Sequence, residues 1–136
     1  MSLPIFHTFE SAAKPVAPYS HAVEADGWVF LTGQIPNDPQ DDARPLPDGI
    51  AAQTRRCLDN LAIVLENLGL GLEHVVAGRV FLTRFDEDYE AMNAVYESYF
   101  PADRRPARTC IGVTGLARRA LVEIDFIARR PSLPVR

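Results

Sequence analysis

A chain of 136 residues, 47% apolar and 24% charged, can bury roughly two-thirds of its unfolded surface as one domain, taken here as residues 1–136. Its formal net charge of −4 and scattered arginines argue against a nucleic-acid footprint, which needs a basic patch or stripe. No run approaches the ~20 apolar residues of a membrane span, no secretory signal pattern opens the chain, and Cys57 and Cys110 make neither a disulfide framework nor a zinc site, so the expected setting is cytoplasmic.

The first strand is read at Ile5–Phe9, with His7 as a surface histidine. Pro15 and Pro18 bracket an extended loop leading to Tyr19-Ser20-His21. Ala22–Ala25 and Trp28–Thr32 are strands separated by Asp26-Gly27, a strong hairpin signal. The second ends in Gly33-Gln34, where glycine permits a close backbone approach or a bulge. Residues 36–49 hold four prolines and four aspartates without apolar period. They read as a loop and a candidate for mobility.

From Ile50 the period becomes helical through Leu68, with Gly69 as the stop and Asp48 as the expected N-cap. The helix is placed at about 49–68, with Cys57 as core filling. Val75–Thr83 is a β-branched and aromatic strand. Asp86-Glu87-Asp88 begins a second helix, with negative charge where the helix dipole favours it, and Pro101 closes it. Asn93 within it is either an exposed neutral position or a polar group reaching a loop backbone. Two strands follow, at Pro106–Val113 and Ala120–Ala128, joined through Thr114-Gly115-Leu116.

This order predicts an α+β architecture, a single mixed β-sheet with two helices packed on one face. The other face carries Trp28, Phe30, Phe81 and Leu121, too much apolar surface to leave wet. A second subunit is the expected cover, in a closed cyclic oligomer.

Arg108 stands out in the middle of an apolar strand, since burying an unpaired charge costs several kcal/mol or more. Alternation puts Arg108, Cys110 and Gly112 on one face. In a hairpin centred on Gly115-Leu116, Arg108 directly opposes Glu123, both on the face away from the helices. That pair is either a cross-strand ion pair, contributing roughly 0.2–1 kcal/mol, or a site. As a site, Arg108 offers a planar fork to a carboxylate, and the amides near Cys110 donate to the same anion. Glu123 then activates or positions a water. Cys110 reads as a wall residue because no histidine has a place beside it to make it a nucleophile. Tyr19 either caps the pocket with its hydroxyl or packs its own loop.

Several segments resemble the RidA (YjgF-type) reactive-intermediate deaminases, in order and over nearly the whole chain. They are Pro18-Tyr19-Ser20-His21-Ala22-Val23, Val29-Phe30-Leu31-Thr32-Gly33-Gln34-Ile35-Pro36, Asn93-x-Val95-Tyr96-x-x-Tyr99-Phe100, Pro106-Ala107-Arg108-Thr109 and Leu121-Val122-Glu123-Ile124-Asp125. The resemblance implies a chorismate-mutase-like α+β fold, assembled as a homotrimer with an active site in each cleft between subunits. It implies hydrolysis of enamines and imines, such as 2-aminoacrylate and 2-iminopropanoate, to a 2-keto acid and ammonia, without a cofactor. Arg108 matches the arginine that grips the substrate carboxylate, and Glu123 the acid that orients the attacking water. Tyr19, Gly33, Thr109 and Cys110 match positions lining the pocket, with Thr32 and Asn93 supporting it. His21, Thr32, Gly112 and Ala117 depart from the residues common there, which leaves the preferred imine open. A trimeric protein that holds a keto acid in its clefts without turnover is the alternative. A ribonuclease reading is disfavoured by the acidic balance.

Overall fold

Buried and half-exposed side chains alternate along Val122–Arg129 without a break, so this strand has one face in a core and one face outside it. The whole sheet is organised around it. In this computed structural model, which describes residues 3–132, the strands are β1 (Ile5–His7), β2 (Ala22–Ala25), β3 (Trp28–Gln34), β4 (Val75–Leu82), β5 (Ala107–Gly112) and β6 (Val122–Arg129). They form one six-stranded sheet in the order β1-β2-β3-β6-β4-β5. Helices α1 (Ile50–Asn67) and α2 (Phe85–Ser98) cover one face. Leu58, Leu61, Val64 and Leu65 of α1 and Met92 of α2 pack there with Val29, Val80, Leu82, Val122, Ile124 and Phe126 of the sheet. Each such buried side chain contributes ~1.5–3 kcal/mol.

The sheet is mixed, as expected, but its last strands do not pair as read above. β5 runs parallel to β4, with Gly78 beside Arg108 and Phe81 beside Ile111. β6 runs antiparallel to β4 on its other side, with Phe81 beside Glu123. The 106–113/120–128 hairpin is therefore overturned. Helix α2 joins β4 to β5, and a helical crossover is what parallel neighbours require. The return from β5 must step over β4, and residues 117–119 make a short 3-10 turn on the way. Arg108 and Glu123 consequently lie on opposite faces. Across β4, Arg108 is in line with Phe126, on the helix side. Glu123 points to the open side.

Smaller differences have local causes. β1 stops at His7 because Phe9 turns inward, donating its N–H to His21 Nδ1 at 2.9 Å and stacking on that ring. His21 Nε2 then donates to the Ala13 carbonyl at 2.7 Å, so the imidazole is spanned at both nitrogens. Asp48 does not cap α1. Gly49 does, at φ 85°, with no side-chain cap bond, a left-handed backbone that suits glycine. The 36–49 loop is tied down at several points. Asn60 Nδ2 donates to the carbonyls of Ile35 and Asn37, Gln53 Nε2 to that of Pro47, and Arg118 grips both carboxylate oxygens of Asp42 at 2.9 Å.

Hydrogen bonds from Arg118 and then Asn37 hold the Asp42 carboxyl down from 3.8 to about 2. A carboxylate with a lowered folded-state pKa stabilises the fold above its unfolded value, and that contribution is lost as pH falls through the folded value. With side chains 37% and 32% exposed, the pair contributes about 1 kcal/mol or less. The melting temperature of the wild type is expected to fall more steeply than that of Asp42→Asn as pH drops from 3.8 towards 2, measured by circular dichroism.

Candidate functional site

Arg108 sits on β5, an edge strand of the sheet, and reaches back over α2. Its guanidinium lies 5.0 Å above the Tyr96 ring and 5.9 Å from that of Tyr89. Nη1 donates to Asn93 Oδ1 at 2.7 Å, with Met92 Sδ at 3.9 Å. Tyr89, Asn93 and Tyr96 fall at i, i+4 and i+7, one face of a helix. Asn93 is thus neither an exposed neutral position nor a group reaching a loop backbone: it is the neutral acceptor that orients the arginine. No carboxylate meets Arg108 among the described residues. Its Nε and Nη2 have no partner there, and Arg108 helps to line a hollow of about 270 Å³ with Asn93, Tyr96, Glu97, Arg105 and Pro106. Burial pushes the Tyr96 hydroxyl up to about 12, against a pull downward from Arg108.

Cys110 shares the inward face of β5 and packs partly against the core. Burial raises its thiol above the ordinary value, and Arg108 lowers it less than burial raises it. That is the setting of a wall residue, because the thiolate is the nucleophile. Thr109 points the other way and is exposed. As an edge strand, β5 keeps one row of backbone N–H groups without a strand partner.

Glu123 belongs to a second cluster, on the open face. It is half-buried, and burial first, then the Asp125 charge, raise its carboxyl above the usual carboxylate value. Gly33 lies at the irregularity between Leu31 and Gln34, where β3 slips against β6. A Cβ at this position would run into Glu123 Oε2, so glycine lets the acid keep this position, and a side chain there would displace its carboxylate. Tyr19 and Thr32 line a shallow hollow of about 440 Å³ with Phe6, Ala22 and Phe30. The Tyr19 hydroxyl accepts from the Val16 N–H at 3.1 Å, which pins its own loop, and its ring is 39% exposed.

Within one chain the two clusters stay apart. Arg108, Cys110 and Asn93 lie at the β5–α2 edge, and Glu123, Gly33, Thr32 and Tyr19 lie on the open side of β3 and β6. A larger hollow, about 660 Å³, is elsewhere, between the 42–49 loop and Arg118-Arg119. Of its arginines, Arg118 is engaged by Asp42. No group of three or more His, Cys, Asp or Glu side chains converges among the described residues. Tyr89 and Tyr96, the bed of Arg108, were not singled out from the sequence. Their spacing around Asn93 was the available signal.

The family model described as Endoribonuclease L-PSP matches residues 9–130. The 3-aminoacrylate deaminase RutC of Acinetobacter baylyi is 40% identical over 119 residues, covering 88% of this chain and 92% of that protein. A RutC family protein of Synechocystis sp. is 39% identical, covering 97% of this chain and all of its own. Among solved structures, the YjgF gene product of E. coli superposes with a TM-score of 0.84 at 31% identity, covering 93% of this chain and 99% of that one. RidA from an Antarctic Psychrobacter species gives 0.84 at 29%, covering 92% and 98%.

The Cys110 environment makes its own test. Arg108→Met removes the charge that favours the thiolate, so alkylation of Cys110 by iodoacetamide is expected to need still higher pH than in the wild type, read by peptide mass spectrometry. Faster labelling in the variant at equal pH would contradict the assignment of the opposing effects.

Proposed function

The chain belongs to the Endoribonuclease L-PSP family, which holds the RidA, YjgF and RutC proteins, and from that premise we propose that it hydrolyses small 2-enamine and 2-imine acids to 2-keto acids and ammonia. The observation that carries the reading is the state of Arg108: charged, bedded on two tyrosines, fixed at Nη1 by a neutral amide, and free at Nε and Nη2. A planar fork with one open edge matches a carboxylate in bidentate fashion. The 3-aminoacrylate deaminase relative supports a substrate with an amino group on an unsaturated acid.

The chemistry needs little beyond positioning. A protonated imine is already electrophilic at carbon, so the protein has to hold its carboxylate and a water in attack geometry. Arg108 and the free N–H groups of β5 would hold the carboxylate. Glu123, as carboxylate, takes a proton from the attacking water while the C–O bond forms, giving a carbinolamine. The acid returns that proton to the nitrogen and is a carboxylate again; the C–N bond breaks, ammonia leaves, and Glu123 takes the hydroxyl proton as the keto group forms, then passes it to ammonia or solvent. A raised carboxyl pKa suits a group that must both accept and give back a proton.

Arg108 and Glu123 face opposite ways in one chain, so the reading includes an assembly: a homotrimer in which the β5 edge of one copy meets the open face of the next. Phe6, Trp28, Phe30 and Ile111, all on that face, are exposed in the single chain. A second copy would cover them. RNA cleavage, which the family description names, is not part of the proposal, because a net charge of −4 with scattered arginines offers no track for phosphates.

The test is release of keto acid and ammonia from imines generated by an amino-acid oxidase or by a threonine dehydratase acting on serine. The wild type is expected to beat buffer, and Arg108→Ala to lower kcat/KM by about 100-fold, the loss of a charge-assisted bidentate contact. Keto-acid binding with no turnover of any imine would leave a binding protein instead. The acid limb of the kcat/KM profile is expected above 4.5, because activity requires Glu123 deprotonated and its carboxyl lies above that value. Light scattering is expected to give three times 15.1 kDa, and a monomer at micromolar concentration would contradict the shared cleft.

A further inference from the structure

The open face of β6 carries a second carboxylate beside the first. Asp125 lies two residues from Glu123 and points the same way, which sets their Cβ atoms about 7 Å apart. Asp125 does not stand alone. Arg79, its register partner on β4, holds it in a forked grip. Arg79 Nε donates to Oδ1 and Oδ2, at 3.1 Å each, and Nη2 donates to Oδ2 at 2.8 Å. The same guanidinium lies 5.6 Å over the Phe81 ring, and Phe81 is the residue directly beside Glu123. Arg79 is thus the diagonal neighbour of Glu123 across β4 and β6, a position within reach of long side chains.

The other elements packed against Glu123 bring no further charge among the described residues. β3 brings Gly33, and Leu121 precedes the acid on the same face. Cys57 of α1, behind the sheet, feels the Glu123 charge but is kept a neutral thiol by complete burial. Within one chain the local balance is therefore one carboxylate facing an ion pair, and the proposed trimer adds Arg108 of the next copy equally in every Arg79 and Asp125 variant.

We propose that Arg79 and Asp125 are positioning residues for Glu123, their charge balance setting the pH at which Glu123 takes up and releases its proton. With Arg79 in place, the Asp125 charge still raises the Glu123 carboxyl, but the forked ion pair offsets part of that field. Without Arg79, a bare negative charge faces Glu123 and favours its protonated form, so the midpoint rises. With Asp125 neutralised, Arg79 is left as an uncompensated cation and the midpoint falls. Two members of one ion pair thus act in opposite directions, which a pair serving only to tie β4 to β6 would not do. The inference deepens the deaminase reading, resting on Glu123 as its proton carrier, but the proton itself can be followed without turnover.

The experiment uses the full chain with 13C-labelled glutamate carboxyls, the Glu123 signal being identified by its loss in Glu123→Gln. NMR titration is run beside kcat/KM profiles on 2-iminopropanoate. Asp125→Asn is expected to move the Glu123 midpoint down and Arg79→Met to move it up, each by roughly 0.5–1.5 pH units at this separation. Arg79→Lys, which keeps the charge, is expected to stay near the wild type. Thermal unfolding checks each variant, and Arg79→Gln replaces Arg79→Met, with the same expected rise, if the latter does not fold. Midpoints that stay put, or move in the same direction, overturn the proposal. Midpoints that move apart in a protein with no activity on any imine uphold it and overturn the deaminase reading.

Discussion

The pairing of β5 with β4 in parallel is the constraint from which the rest follows. Helix α2 joins them, and the crossover lays that helix across the strand it delivers. Arg108 therefore emerges beneath Tyr89, Asn93 and Tyr96 and not beside an acid. Had β5 and β6 closed as a hairpin, the guanidinium would have met Glu123 and both charges would have been spent on each other. Inserting β4 between them leaves each charge without the other.

That separation has an electrostatic consequence. Arg108 is oriented by a neutral amide and two ring faces, which fix its plane without cancelling its charge. Glu123 is raised by burial and by Asp125, with Gly33 keeping the space in front of it clear. A fixed cation at an edge and a half-buried acid on a face with exposed apolar side chains are separate features of the single chain. On the proposed reading they complete one another between copies, and the apolar rows of the open face supply the association energy.

How far the sequence could be read follows the same division between local and long-range information. Period 2 correctly grouped Arg108 with Cys110 on the inward face of β5, because alternation is a property of one strand. It could not say which strand lies next door, and the hairpin error came from treating chain neighbours as sheet neighbours with a helix already standing between β4 and β5. The helices were legible from their 3.6 period and from Gly69 and Pro101. The cap was not, because Gly49 works through a left-handed backbone. The ties on the 36–49 loop come from Gln53, Asn60 and Arg118, which no local pattern connects to it. The contact of Asn93 with Arg108 was not legible either, because it joins a helix to a strand that no local pattern pairs with it.

The central claim, that Arg108 and Glu123 act together from different copies, is tested most directly by subunit mixing. Arg108→Ala and Glu123→Gln are each prepared as inactive protein, then unfolded and refolded together. If each cleft draws its arginine from one copy and its acid from the next, about a quarter of the clefts in random trimers regain both groups, and that share of wild-type imine hydrolysis returns. Mixed assemblies, confirmed by mass, that stay as inactive as their parents would contradict the account.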